Sequence, residues 1–403
     1  MLIRGKSFDL GKILHSVLFF SAGFFKKREY DVVFYYPAHF NRDSDGGNPY
    51  FKHMIETCNT HGLRYVIFEE PTFDGKDARN DAAIPFDFPF MLITLLRKLI
   101  PLEKYETFFH REWKIATIMK PLFFRRFTFR NYIVLSQSML GFFRGLNSSA
   151  KLFDCQHGII YTFHPGYFKE NRMPVDDLWI NKASILLYGE GFAQLIRKGD
   201  ISGYYKTHTY VIGQPVKRKR ETSEKIPRQT NNRILFTSAI VGDDTISKKD
   251  QYRILLDFLR TNSDFFIDRK LIFSFHHHPR YRHDMDMSEL FSLPFVEENR
   301  LPIDIALKNA FLHMTMISTT TFEAAELKIP TLIWNRHFKT IYDVFVKEYA
   351  YPLGLCTDED LLKKISTYLK YPDKYTADGD VVYTWYRRFY SDYNSDVLLR
   401  MFR

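Results

Sequence analysis

The stretch Phe311–Asn335, FLHMTMISTTTFEAAELKIPTLIWN, constrains the fold more than any other part of the chain. Phe311–Ile317 is a short, mostly apolar run of strand type, and Ser318-Thr319-Thr320-Thr321 is a hydroxyl-rich turn. Phe322–Leu327 opens a helix, and Ile329–Trp334 resumes a buried strand. The period therefore switches from strand to helix and back, which is the pattern of a βαβ unit in an α/β domain. Thr320 and Glu323 have the spacing of a capping box. A helix start lined with hydroxyls and unpaired N–H groups is a place for a phosphate. An ordinary helix cap is the alternative reading of the same residues.

Earlier segments repeat the alternation. Tyr30–Tyr36 (YDVVFYY) reads as a strand, followed by the polar loop HFNRDSDGGNPYF, a helix from about Tyr50 to His61, and a strand at Arg64–Phe68. A doubly wound domain begins this way, and such domains bind ligands at the carboxyl ends of their strands. The turn Asp45-Gly46-Gly47-Asn48 falls on that edge, either as part of a site or as a surface turn. Lys151–Cys155 is a strand that runs into Gln156-His157-Gly158. A histidine there can take a proton from an attacking hydroxyl, or it can serve as a local cap. Thr209–Ile212 leads into Gly213-Gln214-Pro215, and the charged stretch Lys217–Asn232 (KRKRETSEKIPRQTNN) reads as a linker. The expected organisation is a domain over 1–216, a linker over 217–232, a second αβ domain over 233–385, and a C-terminal helix over 386–403 that packs across the domain interface. In the second domain Lys270–Phe275 ends in His276-His277-His278-Pro279-Arg280. Adjacent histidines on alternating faces do not converge on one metal ion, and the Asp284-Met285-Asp286 tripeptide lies in a polar loop.

The chain has 57 Lys and Arg against 47 Asp and Glu, a net charge of +10 that favours anionic partners. Its three cysteines show no CxxC spacing, which argues for a reducing compartment and against structural zinc. Ile13–Phe25 and Ile84–Ile100 are too short or too charged for transmembrane helices. They suit amphipathic helices on a membrane surface, or helices in the core. The run Phe123–Arg130 (FFRRFTFR) interleaves rings with arginines, either to stack on single-stranded RNA or to bury Phe and expose Arg. No RNP1, zinc-finger or helix-turn-helix pattern supports nucleic acid. P-loop, GxSxG, HExxH and kinase signatures are also missing.

The ordered set of Gln156-His157-Gly158, Gly213-Gln214-Pro215, His278-Pro279 and Ser318-Thr319 with Glu323 resembles the GT-B-fold transferases of bacterial capsule, lipopolysaccharide and teichoic-acid synthesis. These include capsule-type Kdo transferases, sialyl- and polysialyltransferases, and glycerophosphotransferases. The resemblance covers about residues 150–340. It implies two Rossmann-like, doubly wound domains facing a central cleft, with a nucleotide-activated donor held mainly by the second. It places His278, Pro279, Arg280, Ser318, Thr319 and Thr320 at the donor nucleotide and Glu323 at its ribose. His157 becomes the candidate base, with Asp45 a second catalytic candidate, and Gln156, Gly158 and Gly213 line the cleft. His276 and His277 stand where relatives often carry a basic residue before the HP pair. The acidic-acidic-Gly motif of sialyltransferases has only imperfect echoes, in Gly189-Glu190-Gly191 and Ser44-Asp45-Gly46. The implied function is metal-independent, cofactor-free transfer from a nucleotide-sugar, CMP-linked in preference to UDP or CDP, to a glycan or lipid-linked acceptor. The implied place is the cytoplasmic face of the inner membrane, held peripherally. Glycerophosphotransfer and nucleotide-sugar epimerisation on the same fold are the near alternatives. Non-catalytic glycan or nucleotide binding, and basic RNA binding, are those from other classes.

Overall fold

Short apolar runs separated by amphipathic helices leave the chain one economical solution, parallel strands buried under helices on both faces. The computed structural model describes residues 9–22, 25–38, 40, 46–72, 79–162, 164–214, 232–237, 248–277, 285–316, 318–334 and 344–403. The chain divides into two units, Met1–Arg218 with Tyr390–Arg403, and Lys219–Phe389.

The first unit carries β1 (Arg28–Tyr36), β2 (Tyr65–Glu69), β3 (Ile84–Pro85), β4 (Phe127–Leu135), β5 (Lys151–Cys155), β6 (Ala183–Leu187) and β7 (Thr209–Val211). They form one sheet in the order β3-β2-β1-β4-β5-β6-β7, and every neighbouring pair is parallel. The order reverses between β1 and β4, the place where doubly wound sheets take ligands. Central β1 is fully buried from Val32 to Tyr36, as a strand covered on both faces must be.

Aromatic residues fill one side of this sheet. Phe143 stacks on Tyr132 at 4.1 Å, and Phe20, Phe68, Phe86 and Phe124 pack around one another. Phe124, Phe127 and Phe129 are buried, whereas Arg125, Arg126 and Arg130 are exposed. The aromatic–arginine run is thus an in–out strand pattern, and its buried rings are closed to base stacking.

Both amphipathic segments are helices of this unit. Leu10–Ala22 buries Ser16 and Phe20, and Asp87–Leu99 buries Asp87, Pro89 and Ile93. Asp87, which breaks the apolar pattern in the sequence, receives Arg79 in a bidentate pair at 3.0 and 2.8 Å. Each helix keeps an apolar row outside the core: Leu10, Leu14 and Leu18 on the first, Met91, Leu95 and Leu99 on the second. Among the described residues no helix is long and apolar enough to cross a membrane.

The C-terminal segment differs from the single helix expected over 386–403. One helix ends at Phe389 and another spans Ser395–Phe402. Asn394 separates them, its Oδ1 accepting from the amides of Asp396 and Val397, an N-cap that starts a new helix. Leu398, Met401 and Phe402 join the core of the first unit with Met54, Cys58 and Phe153.

The second unit carries β8 (Arg233–Thr237), β9 (Ile272–His276), β10 (Val296–Asn299), β11 (Leu312–Thr315), β12 (Thr331–Trp334) and β13 (Leu355–Cys356). Their order is β10-β9-β8-β11-β12-β13, again parallel throughout. This order reverses between β8 and β11. Phe322 stacks on Trp385 at 4.6 Å, fixing helix Thr320–Glu326 against helix Pro372–Phe389. A complete capping box exists in this unit at Thr357 and Asp360.

Candidate functional site

The carboxyl edge of the first sheet gathers the Gln156-His157-Gly158 segment and the turn after β4. Gln156 is fully buried and its hydrogen bonds are internal. Its amide donates to Leu186 O at 2.9 Å, its Nε2 donates to Gly158 O at 2.7 Å, and its Oε1 accepts from Tyr188 N at 2.8 Å. Gln156 therefore ties the ends of β5 and β6 together and holds the Gly158 backbone. His157, next along the chain, is half-buried and meets the Phe40 ring edge-on at 5.0 Å. Gly158 is exposed, and a Cβ there would meet nothing within 4 Å. Its glycine answers no need of the chain's own packing.

Gly213 has a different reason. Its φ is +79°, and a Cβ would stand 2.1 Å from Asp392 O. The close approach lets Gln214 N donate to Ser391 O at 3.0 Å and Asn394 N donate to Ile212 O at 2.8 Å. This glycine docks the returning C-terminal segment.

Asp45 lies outside the described residues. The rest of its turn includes Gly46, at φ +77°, where a Cβ would stand 2.5 Å from the Arg79 carbonyl carbon. Asn48 is 5% exposed, and neither atom of its amide has a hydrogen-bond partner among the described residues. A buried amide left with both a donor and an acceptor open is costly, so Asn48 joins the candidates. Its signal in the sequence was only its place in the turn after β1.

Asp154, one residue before the end of β5, was also missed. It is fully buried. Its Oδ1 accepts from Gln137 N at 2.9 Å, while Oδ2 has no hydrogen-bond partner among the described residues. Burial raises its pKa to about 7, and the bonds from Gln137 oppose part of that rise. Gln137 belongs to a turn in which Ser136, Gln137 and Met139 all have positive φ, a conformation that costs a non-glycine residue about 1–2 kcal/mol. The turn is held by Tyr132 OH, which donates to Ser138 O at 2.7 Å, and by Gln137 Nε2, which donates to Gly166 O. Strain of this kind persists where the surroundings over-determine it, and here it sits at the end of β4, beside β1. An aspartate inside the apolar run LFDC was the available signal.

On the second sheet, Ser318, Thr319 and Thr320 follow β11 at the reversal point. Ser318 Oγ accepts from Thr320 N at 3.1 Å and donates to Thr320 Oγ1 at 2.8 Å. Thr320 is already helical and Thr319 holds the N-cap position without a side-chain cap. The expected capping box needs Thr320 at the N-cap, but Thr319 holds that position, and a local Ser318 turn takes the Thr320 amide alone. Thr319 is exposed and Glu323 is half-buried one turn on. Thr321 is fully buried, with no partner for its hydroxyl among the described residues.

His278, Pro279 and Arg280 lie outside the described residues. Before them, His276 Nε2 pairs with Leu301 O at 3.0 Å and His277 approaches Glu298 at 3.7 Å. Beneath the reversal point His313 bridges β8 and β12, pairing with Thr237 Oγ1 and Thr331 Oγ1, each at 2.8 Å.

The chain matches no family model and no curated protein. Among solved structures it is similar to a UDP-GlcNAc 2-epimerase from Neisseria meningitidis bound to UDP-GlcNAc, with 11% identity and a TM-score of 0.54 over 92% of this chain and 98% of that one. It is also similar to S. aureus MnaA in a UDP co-structure, with 11% identity and a TM-score of 0.51 over 92% and 95% of the two chains. A variant of the wall teichoic acid polymerase TagF gives 13% identity and 0.51 over 97% and 92%. The fold is GT-B. The fold likeness reaches well beyond residues 150–340.

Proposed function

We propose that the chain is a group-transfer enzyme that takes a nucleotide-activated donor at the carboxyl edge of its second unit. The observation that carries this reading is the position of Ser318, Thr319, Thr320 and Glu323 after β11, where the strand order of that unit reverses. The Neisseria structure, of the same fold, is one with UDP-GlcNAc bound, which supports a nucleotide-sugar as donor. The transferred group is a glycosyl or glycerophosphoryl unit bound for a surface polysaccharide or lipid-linked glycan, with a CMP-sugar the favoured donor. His278 and Arg280, which follow β9 in sequence, offset the charge that builds on the departing nucleotide, so no divalent ion is needed. His157 deprotonates the acceptor.

The enzyme works at the cytoplasmic membrane surface. Leu10 is 81% exposed and Leu18 61%, and Leu99 67%. Such rows, with Lys26, Lys27 and Lys98 nearby, suit an anionic interface.

A thermal-shift panel of CMP, CDP, UDP, GDP and their sugar conjugates, with and without EDTA, tests the donor assignment. One nucleotide should raise the midpoint in an EDTA-resistant way, and Thr320→Val with Glu323→Gln should abolish that rise. A panel with no shift, or a shift untouched by both substitutions, would overturn it. Conversion of donor in the absence of any acceptor would replace transfer by epimerisation.

A further inference from the structure

The first unit has a concave feature at the edge of its sheet opposite His157. A cavity of about 460 Å³ opens there, lined by Arg144, Lys151, Lys182, Ser184, His208 and Arg400 among others, and among the described residues no carboxylate lines it. Lys151 is the first residue of β5, Lys182 immediately precedes β6, and His208 immediately precedes β7. These residues therefore sit at the amino-terminal ends of three adjacent strands, and helix Ser395–Phe402 brings Arg400 to them.

Arg144, Lys151 and His208 are held in place, yet no basic residue that lines the cavity has an acidic partner among the described residues. Arg144 Nε and Nη2 donate to Asn181 O, and its Nη1 donates to Ser148 O and Ala150 O, each at 2.8 Å. Its guanidinium is thus oriented by carbonyl dipoles only, and burial lowers its pKa. Lys151 Nζ donates to Met401 O at 2.8 Å and keeps further donors. His208 is stacked flat on Tyr204 at 3.9 Å, with its Nδ1 beside Tyr204 O at 3.0 Å. Like charges gathered in a cavity repel one another unless an anion joins them. Arg144 keeps one N–H and Lys151 two beyond these bonds, and with the charges of Lys182 and Arg400 they suit the oxygens of a phosphate.

We propose that this cavity is a binding site for a phosphate-bearing anion, separate from the donor site of the second unit. Its chemistry would serve a free pyrophosphate-like anion or the phosphomonoester headgroup of a lipid, and the test tells them apart.

The full-length chain is titrated with sodium pyrophosphate by calorimetry, and separately sedimented with phosphatidylcholine vesicles with and without phosphatidic acid. The decisive variant is Lys182→Gly with Arg400→Ala. Lys182 has φ +50°, a conformation glycine adopts freely, so the first change removes a cation without straining the fold. Arg400 is exposed. Lys249→Ala with Arg253→Ala, on the helix Lys248–Thr261 of the second unit, removes the same charge elsewhere and serves as the control.

Each lost cation should weaken binding about tenfold, so the double variant should bind about a hundredfold more weakly while the control binds as the wild type does. Loss of pyrophosphate binding identifies a free anion as the ligand. Loss confined to phosphatidic acid vesicles identifies a lipid headgroup. A pyrophosphate site that persists in the decisive variant and disappears with Thr320→Val belongs to the donor edge. If neither probe binds, or if both bind the decisive variant as tightly as the control, the cavity is not an anion site.

Discussion

His313 Nε2 lies 2.8 Å from Thr237 Oγ1, and both residues are buried at the β8–β11 junction of the second unit. Thr331 Oγ1 meets the other ring nitrogen at 2.8 Å. Two hydroxyls satisfy a neutral imidazole, but nothing here offsets the charge of an imidazolium, and burial lowers the pKa to about 3. Because the folded value is depressed, the unfolded chain binds more protons below pH 6.5. Stability is therefore unaffected above pH 6.5 and falls as the pH drops from there toward about 3, by up to about 1.4 kcal/mol per pH unit. Urea midpoints at pH 7 and pH 5 should differ for the wild type and converge in His313→Gln. A wild-type difference retained in the variant would assign the acid lability elsewhere.

Asp154 has the opposite sign. Its folded pKa, about 7, is raised above the unfolded value, so the protonated form is favoured in the fold. Stability from this residue is full below pH 4 and is lost as the pH rises through 7, by on the order of 2–4 kcal/mol. Asp154→Asn keeps the acceptor for Gln137 N and removes the charge. The variant should match the wild type near pH 4.5 and exceed it in denaturation midpoint at pH 8.

Gly213→Ala would place a methyl group against the Asp392 carbonyl. The returning segment must shift or detach, which should cost about 3 kcal/mol or more. Faster proteolysis C-terminal to Phe389, with a lowered thermal midpoint, is the expected result. An unchanged midpoint would show that the segment adapts.

Gln156 and His157 are neighbours with different work. Gln156→Ala leaves Tyr188 N without its acceptor in the core, at about 1–3 kcal/mol. His157→Ala removes a half-buried ring and should leave the thermal midpoint within about 2 °C of the wild type. Turnover with the nucleotide donor should be abolished by His157→Ala with donor binding kept. Retained turnover would remove His157 from the base role.

The leucine rows of the first unit predict membrane sensitivity. Leu14→Asp with Leu18→Asp should release the chain from anionic vesicles in sedimentation, without lowering its thermal midpoint. Both side chains lie outside the core, so a fall in stability would mean that they are covered in the native chain.

The period switches determined much of the architecture. The apolar runs read as strands near Tyr30, Arg64, Lys151, Lys270 and Phe311 each contain one, namely β1, β2, β5, β9 and β11, because runs rich in β-branched and aromatic residues belong to strands covered on both faces. The run over 124–130 left RNA stacking and an in–out strand both open, and the burial of Phe124, Phe127 and Phe129 decided for the second. Partnership across the chain was not legible. Nothing local in Gly213 announces Asp392, nothing in Asp87 announces Arg79, and nothing in His313 announces Thr237. The strand-end position of Ser318-Thr319 could be read from the residues. That β11 lies beside β8, where the sheet reverses, was settled only when distant segments packed. Local sequence determines periodicity and turn chemistry, since these depend on neighbours a few residues away. Strand order, the orphaned Asp154 oxygen and the gathered cations around Lys182 depend on loop closure and burial, and only the tertiary structure decides those.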